Sequence, residues 1–80
     1  MKDITWVELD VHKETTVFTI FTPGVDLPLE GEIATNSEKI IRLLRRQAKG
    51  NEICACYEAG PCGYELKRRM EDEGIHCDVV

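Results

Sequence analysis

The sequence predicts an α/β domain with the element order β-β-β-α-β-α-β, and three observations predict it. Residues 3–11 set an apolar or β-branched side chain at every second position, and after a polar triplet residues 15–22 are rich in Thr, Val, Phe and Ile. Residues 38–50 change to a period of 3.6, with aliphatic side chains on one arc and bases on the opposite arc. The remainder holds two short apolar runs, Ile53 to Tyr57 and Ile75 to Val80, separated by a helical stripe.

In the first run Thr5, Val7, Leu9 and Val11 share one parity, and Ile4, Trp6, Glu8 and Asp10 share the other. That describes a strand with one wholly apolar or β-branched face. His12-Lys13-Glu14 is a polar break, and Thr15 to Thr22, rich in Thr, Val, Phe and Ile, suits a second strand joined to the first as a hairpin. Pro23-Gly24 marks a turn, because proline sets φ and glycine then permits φ > 0. Leu27 to Ile33 is a weaker third strand, and Pro28 within it points to a sheet edge, where a missing N–H is harmless.

Thr35 and Glu38 stand at capping-box spacing and are expected to start the first helix. Ile40, Ile41, Leu43, Leu44 and Ala48 form its apolar arc, and Gly50 is its expected terminator. Gly60-Pro61 is expected to open the second helix, with Pro61 in the first position, Cys62, Leu66 and Met70 as the stripe, and Gly74 as the stop. A three-stranded meander followed by two parallel crossovers is the ribonuclease H-like pattern of a mixed sheet, although a generic α+β sandwich fits the same string.

Composition narrows the classes further. The chain has 80 residues, 42% hydrophobic and 31% charged, which is one domain or a portion of one and too apolar for a disordered chain. No apolar run approaches the roughly 20 residues that span a bilayer. Met1-Lys2-Asp3 leads directly into mixed sequence, so a secretory signal is not expected, and the four cysteines are expected as free thiols in a reducing cytoplasm. Fifteen acids against ten bases give a net charge of −5, which for the whole chain opposes a nucleic-acid-coating role. The distribution is uneven: residues 38–50 carry five bases and one acid, a local +4 that leaves −9 for the rest.

Asp10 ends the first strand and Glu58 ends the strand that follows the basic helix. If those strands are neighbours, both carboxylates project near one edge, and converging carboxylates are the donors that Mg²⁺ or Mn²⁺ takes. Acids at strand ends are otherwise simply solvated. Arg42, Arg45, Arg46 and Lys49 are the candidate phosphate contacts on the basic helix, whose alternative is an ordinary solvated face. Gly60-Pro61-Cys62-Gly63 is read as a tight strand-to-helix turn before an anion site. Cys54 and Cys56 alternate on a strand, a poor match to zinc knuckles and beyond ordinary disulfide reach, so buried inert thiols are expected. His12 is read as a surface turn residue and Trp6 as a packing residue.

Two stretches carry a resemblance. Leu9-Asp10-Val11-His12-Lys13 and Cys56-Tyr57-Glu58-Ala59-Gly60-Pro61-Cys62-Gly63-Tyr64 resemble the N-terminal part of the DEDD-type transposases of bacterial insertion sequences, to which the Piv-type DNA invertases are related. The tail from Gly74 to Val80 is similar too. The resemblance implies a RuvC-like fold with four metal-binding acids, of which Asp10 matches the first and Glu58 the second. It implies that the other two acids, and a catalytic serine in a separate domain, lie further along, so that this chain is the front of a catalytic domain truncated after the strand ending at Val80. It also implies Mg²⁺ (or Mn²⁺) held weakly in an incomplete site, DNA as partner, and for some members a guide RNA encoded by the element. The chain departs from the family at Glu8, where a glycine two residues before the first acid is expected.

The implied function is that of a transposase or recombinase portion that cuts and rejoins DNA, inactive alone. The competing readings are an ASKHA-type nucleotide-binding half and a small zinc-binding interaction module. The first is weakened by the lack of glycine in residues 11–16 and the second by the cysteine spacing. A homo-oligomer is also expected, because open strand edges and uncovered apolar surface seek partners.

Overall fold

A computed structural model of the chain describes residues 3–58, 60 and 63–80. Its elements are β1 (Ile4–Val11), β2 (Thr15–Phe21), β3 (Leu29–Ala34), α1 (Ser37–Ala48), β4 (Glu52–Tyr57), α2 (Glu65–Asp72) and β5 (His76–Val79). This is the expected order. The strands form one mixed sheet in the order β3-β2-β1-β4-β5, with β1 at its centre. β1 runs antiparallel to β2 and parallel to β4, β3 is antiparallel to β2, and β5 is parallel to β4. The chain is thus an α/β fold with a five-stranded mixed sheet and two helices.

Both crossovers, β3-α1-β4 and β4-α2-β5, travel in the same direction across the sheet. Right-handed connections then require both helices on the same face. They pack there against each other and against the strands. The alternation read in β1 meets them, with Thr5, Val7 and Leu9 buried, and β2 and β4 alternate as well, burying Thr16, Phe18 and Ile20 and Ile53, Ala55 and Tyr57. Ile40, Ile41, Leu44 and Ala48 of α1 close the core with Leu66 and Met70 of α2. Thr5 Oγ1 is buried with no hydrogen-bond partner among the described residues.

Several boundaries differ from expectation, each for a local reason. The cap of α1 is Asn36, whose side chain accepts from the Lys39 N–H at 3.0 Å. Thr35 is engaged elsewhere: its hydroxyl donates to the His12 carbonyl at 2.6 Å and meets the Thr16 hydroxyl at 2.8 Å, pinning the β1–β2 turn. The helix ends through two left-handed residues, Lys49 (φ 51°) and Gly50 (φ 88°), the second placed as expected. β3 begins at Leu29, so Pro28 precedes the strand, and β3 is indeed an edge. α2 begins at Glu65 and not at Pro61; Pro61 and Cys62 lie outside the described residues.

Two further elements tie α1 to α2. Arg45 Nη2 donates to the Glu73 carbonyl at 2.6 Å and to Glu73 Oε1 at 3.1 Å, and Arg69 reaches back to Glu38. The hydrogen bond to Glu38 holds the Arg69 guanidinium above its ordinary pKa. On β3, Gly31 stands opposite Phe18, and a methyl carbon built on it would lie 2.6 Å from the far end of that buried ring. Gly31→Ala is therefore expected to destabilise the domain by about 1–3 kcal/mol through overpacking, read as a lower urea midpoint with unchanged slope.

Candidate functional site

The end of the sheet where β1 and β4 finish carries the candidate carboxylates. The parallel register pairs Leu9 with Tyr57, so Asp10 and Glu58 each follow that pair by one residue on strands about 4.8 Å apart. Both are exposed, and both line one open cleft of about 470 Å³ with Glu8, Val17, Thr19 and Val80. The neighbourhood assumed for these two residues in the sequence is thus the one the sheet order provides. Glu8 lies two residues before Asp10 on the same uncovered face and shares the cleft.

His12 sits on the tight turn after β1, where its N–H donates to the Thr15 carbonyl at 2.9 Å. Its Nε2 stands 3.2 Å from Asp10 Oδ2. The surface position expected of His12 holds, but its pairing with the adjacent carboxylate is not evident from the sequence. Two residues apart on extended chain, the two side chains share one side, as His76 and Asp78 do on β5. Among the described residues no three His, Cys, Asp or Glu side chains converge as a ready metal-binding group. Two carboxylates with oxygen donors are a partial set for a hard cation.

The Tyr57 hydroxyl is a feature the sequence does not single out. Its ring is buried under the sheet, while its oxygen donates to the Gly63 carbonyl at 3.0 Å and accepts from the Lys67 N–H at 3.1 Å. It therefore satisfies one of the first-turn N–H groups of α2, which has no side-chain cap of its own at Tyr64. The residue immediately before Glu58 thus anchors Gly63 and the start of α2. Lys67 also donates through Nζ to the Cys77 carbonyl at 2.7 Å and to Glu71 at 3.0 Å, fastening α2 to β5.

The basic helix presents Arg42, Arg46 and Lys49 to solvent, and none of the three forms an ion pair with a described residue. Arg45 is committed to Glu73, unlike its three neighbours. These bases lie on the covered side of the sheet, one layer away from Asp10 and Glu58.

The thiols correct an expectation. Cys77 is fully buried, but Cys54 and Cys56 are half-buried and project from the uncovered face, as Trp6 does at 56% exposure. Their parity is set by Ile53 and Ala55, which take the core side of β4. Desolvation pushes the Cys77 thiol up to about 11 and raises Cys54 and Cys56 too, with nearby carboxylates adding to the effect.

Comparison with known proteins meets the site at this point. Over its whole length the chain is 35% identical to the transposase for insertion sequence element IS1533 of Leptospira borgpetersenii. It spans 24% of that protein's length. The chain is similar to one portion of a transposase. No family model and no solved structure matches it.

Two outcomes follow from this geometry. Tyr57→Phe should cost about 1–2 kcal/mol and lower the hydrogen-exchange protection of the first turn of α2 more than that of α1. In a Cys62→Ser background, Cys54 and Cys56 should react with a thiol reagent in the native state, faster as pH rises. Cys77 should react only on unfolding.

Proposed function

We propose that this chain is part of a transposase of the insertion-sequence type, with a ribonuclease H-like, RuvC-like sheet in which Asp10 and Glu58 are two of the carboxylates that hold Mg²⁺ or Mn²⁺. The whole-length similarity to an insertion-sequence transposase supports the transposition reading. The observation that carries the site is the shared cleft of Asp10 and Glu58 at the ends of two adjacent parallel strands. A hard divalent cation bound there would supply Lewis acidity toward a phosphodiester oxygen.

The chain's own residues have separable tasks in this reading. Asp10 and Glu58 offer anionic oxygens, and His12, within 3.2 Å of Asp10, orients that carboxylate. Tyr57 holds Gly63 and the first turn of α2, beyond Glu58 in the chain, through its two hydrogen bonds. Glu8 adds negative charge beside Asp10, which favours a cation and disfavours the approach of phosphate without one. Arg42, Arg46 and Lys49 contact the DNA backbone through their positive charge and N–H donors, away from the carboxylate cleft.

With two carboxylates in place, divalent-metal binding by this chain is weak, and strand cleavage is not expected of it alone. Mn²⁺ titration followed by electron paramagnetic resonance should show weak binding that Asp10→Asn and Glu58→Gln each reduce severalfold; unchanged binding in both variants removes the metal assignment. In the same spirit, Arg42→Glu with Arg46→Glu should weaken duplex DNA binding without regard to sequence. The slope of log affinity against log salt should become shallower by roughly 2, about one unit for each phosphate no longer neutralised. An unaltered slope would place the DNA-binding surface elsewhere.

A further inference from the structure

Asp10 and His12 share one side of the chain only while it stays extended between them. β1 ends at Val11, so His12 lies past the strand, whereas the His76–Asp78 pair lies within β5. Asp10 and His12 are both exposed, and an exposed pair does not hold itself in one geometry. The main chain at His12 therefore decides whether the ring meets the carboxylate. A residue 23 positions further along, Thr35, holds that main chain.

Thr35 grips the β1–β2 turn in three places. Its N–H donates to the Glu14 carbonyl at 2.9 Å. Its hydroxyl donates to the His12 carbonyl at 2.6 Å and lies 2.8 Å from the Thr16 hydroxyl. A hydroxyl has one proton to give, so Thr35 spends it on His12, and Thr16 is the donor to Thr35. Thr16 is fully buried, paired with Val11 on one side and Ile33 on the other. A buried hydroxyl without a partner is costly, so Thr16 favours the Thr35 rotamer that reaches His12. The His12 N–H closes the turn on the Thr15 carbonyl at 2.9 Å. Main-chain groups on both sides of the His12 Cα are thus held, and the ring stands 3.2 Å from Asp10. α1 makes no demand on the Thr35 hydroxyl, because Asn36 caps that helix.

We propose that Thr35 is a positioning residue for the carboxylate cleft. Backed by Thr16, it keeps the chain extended through His12, so that the His12 ring holds Asp10 in one rotamer. A carboxylate already held in place loses less freedom when it takes a cation. This role deepens the Mg²⁺ or Mn²⁺ reading of Asp10 and Glu58, and its effect on metal affinity rests on that reading.

Thr35→Val deletes the hydroxyl at nearly equal size, and Thr35→Ser keeps it. Gly31→Ala controls for destabilisation alone, since it acts through Phe18. The first readout needs no metal: three-bond side-chain couplings by NMR, which report χ1 of Asp10 and His12. Wild type should show one dominant rotamer for each. Thr35→Val should average both, while Thr35→Ser and Gly31→Ala retain them. The His76–Asp78 couplings should stay constant in every variant. The second readout is Mn²⁺ affinity by electron paramagnetic resonance, at a temperature where circular dichroism shows every variant folded. Thr35→Val should weaken binding about threefold, with Thr35→Ser and Gly31→Ala close to wild type.

Unchanged Asp10 and His12 couplings in Thr35→Val overturn the proposal. So does equal averaging in Gly31→Ala, and so do averaged couplings with unaltered Mn²⁺ affinity. If Asp10→Asn leaves Mn²⁺ binding intact, the metal reading falls instead, and the couplings alone decide whether Thr35 sets Asp10. Should Thr35→Val fail to fold, Thr16→Val removes the donor behind Thr35 and should shift the same couplings in the same direction; no shift there overturns the proposal.

Discussion

β1 is hydrogen-bonded along both of its edges, antiparallel to β2 and parallel to β4, and this double pairing is the constraint on which the other features depend. A strand paired on both sides has no freedom of register without turning every side chain to the wrong face. With Val7 and Leu9 committed to the core, Glu8 and Asp10 must stand on the other face. The parallel edge carries the same parity into β4, where Ile53, Ala55 and Tyr57 go inward and Cys54 and Cys56 outward. The position of Asp10 near Glu58 is a consequence of that one register. So is the outward placement of Trp6.

The second consequence is one-sidedness. Because both crossovers progress in the same direction across the sheet, right-handedness puts both helices on one face. The bases of α1 then stand on one side of the molecule and the strand carboxylates on the other. The net charge of −5 averages a helix side that carries all the described bases of α1 and a strand face whose charged groups are carboxylates and His76. A phosphate-seeking reading of Arg42, Arg46 and Lys49 and a cation-seeking reading of Asp10 and Glu58 are therefore compatible in one small domain. The same separation leaves the exposed Trp6 and Phe21 beside the strand carboxylates.

How much of this is legible in the sequence depends on how local the cause is. The alternation in β1 and the arc from Ile40 to Ala48 are legible because their periods are set by backbone geometry and burial alone. The cap of α1 is displaced by one residue, since Thr35 spends its hydroxyl on Thr16 and the His12 carbonyl, partners distant in sequence. The start of α2 falls later than Gly60-Pro61 suggests, because that pair signals a turn and a helix start equally well. The hydroxyl of Tyr57, reaching Gly63 and Lys67, gives no sequence signal, because a tyrosine in an apolar run looks the same whether or not its oxygen finds a helix end. Trp6 departs from expectation for a related reason: parity places it outside, while its size argues for the core.

By itself, the sequence determined the order and approximate positions of the elements, which parity of β1 is apolar, and that a basic helix is embedded in an acidic chain. These are properties of neighbours a few residues apart, governed by steric and hydrophobic periodicity. Only the tertiary structure decided that β4 lies beside β1, which brings Asp10 and Glu58 to one cleft across 48 residues of chain. It also decided that Arg45 is bound to Glu73 while its neighbours stay in solvent, and that both described helices pack on the same face of the sheet. Those outcomes depend on strand order and crossover direction, and contacts between distant residues leave no periodic trace in the chain that makes them.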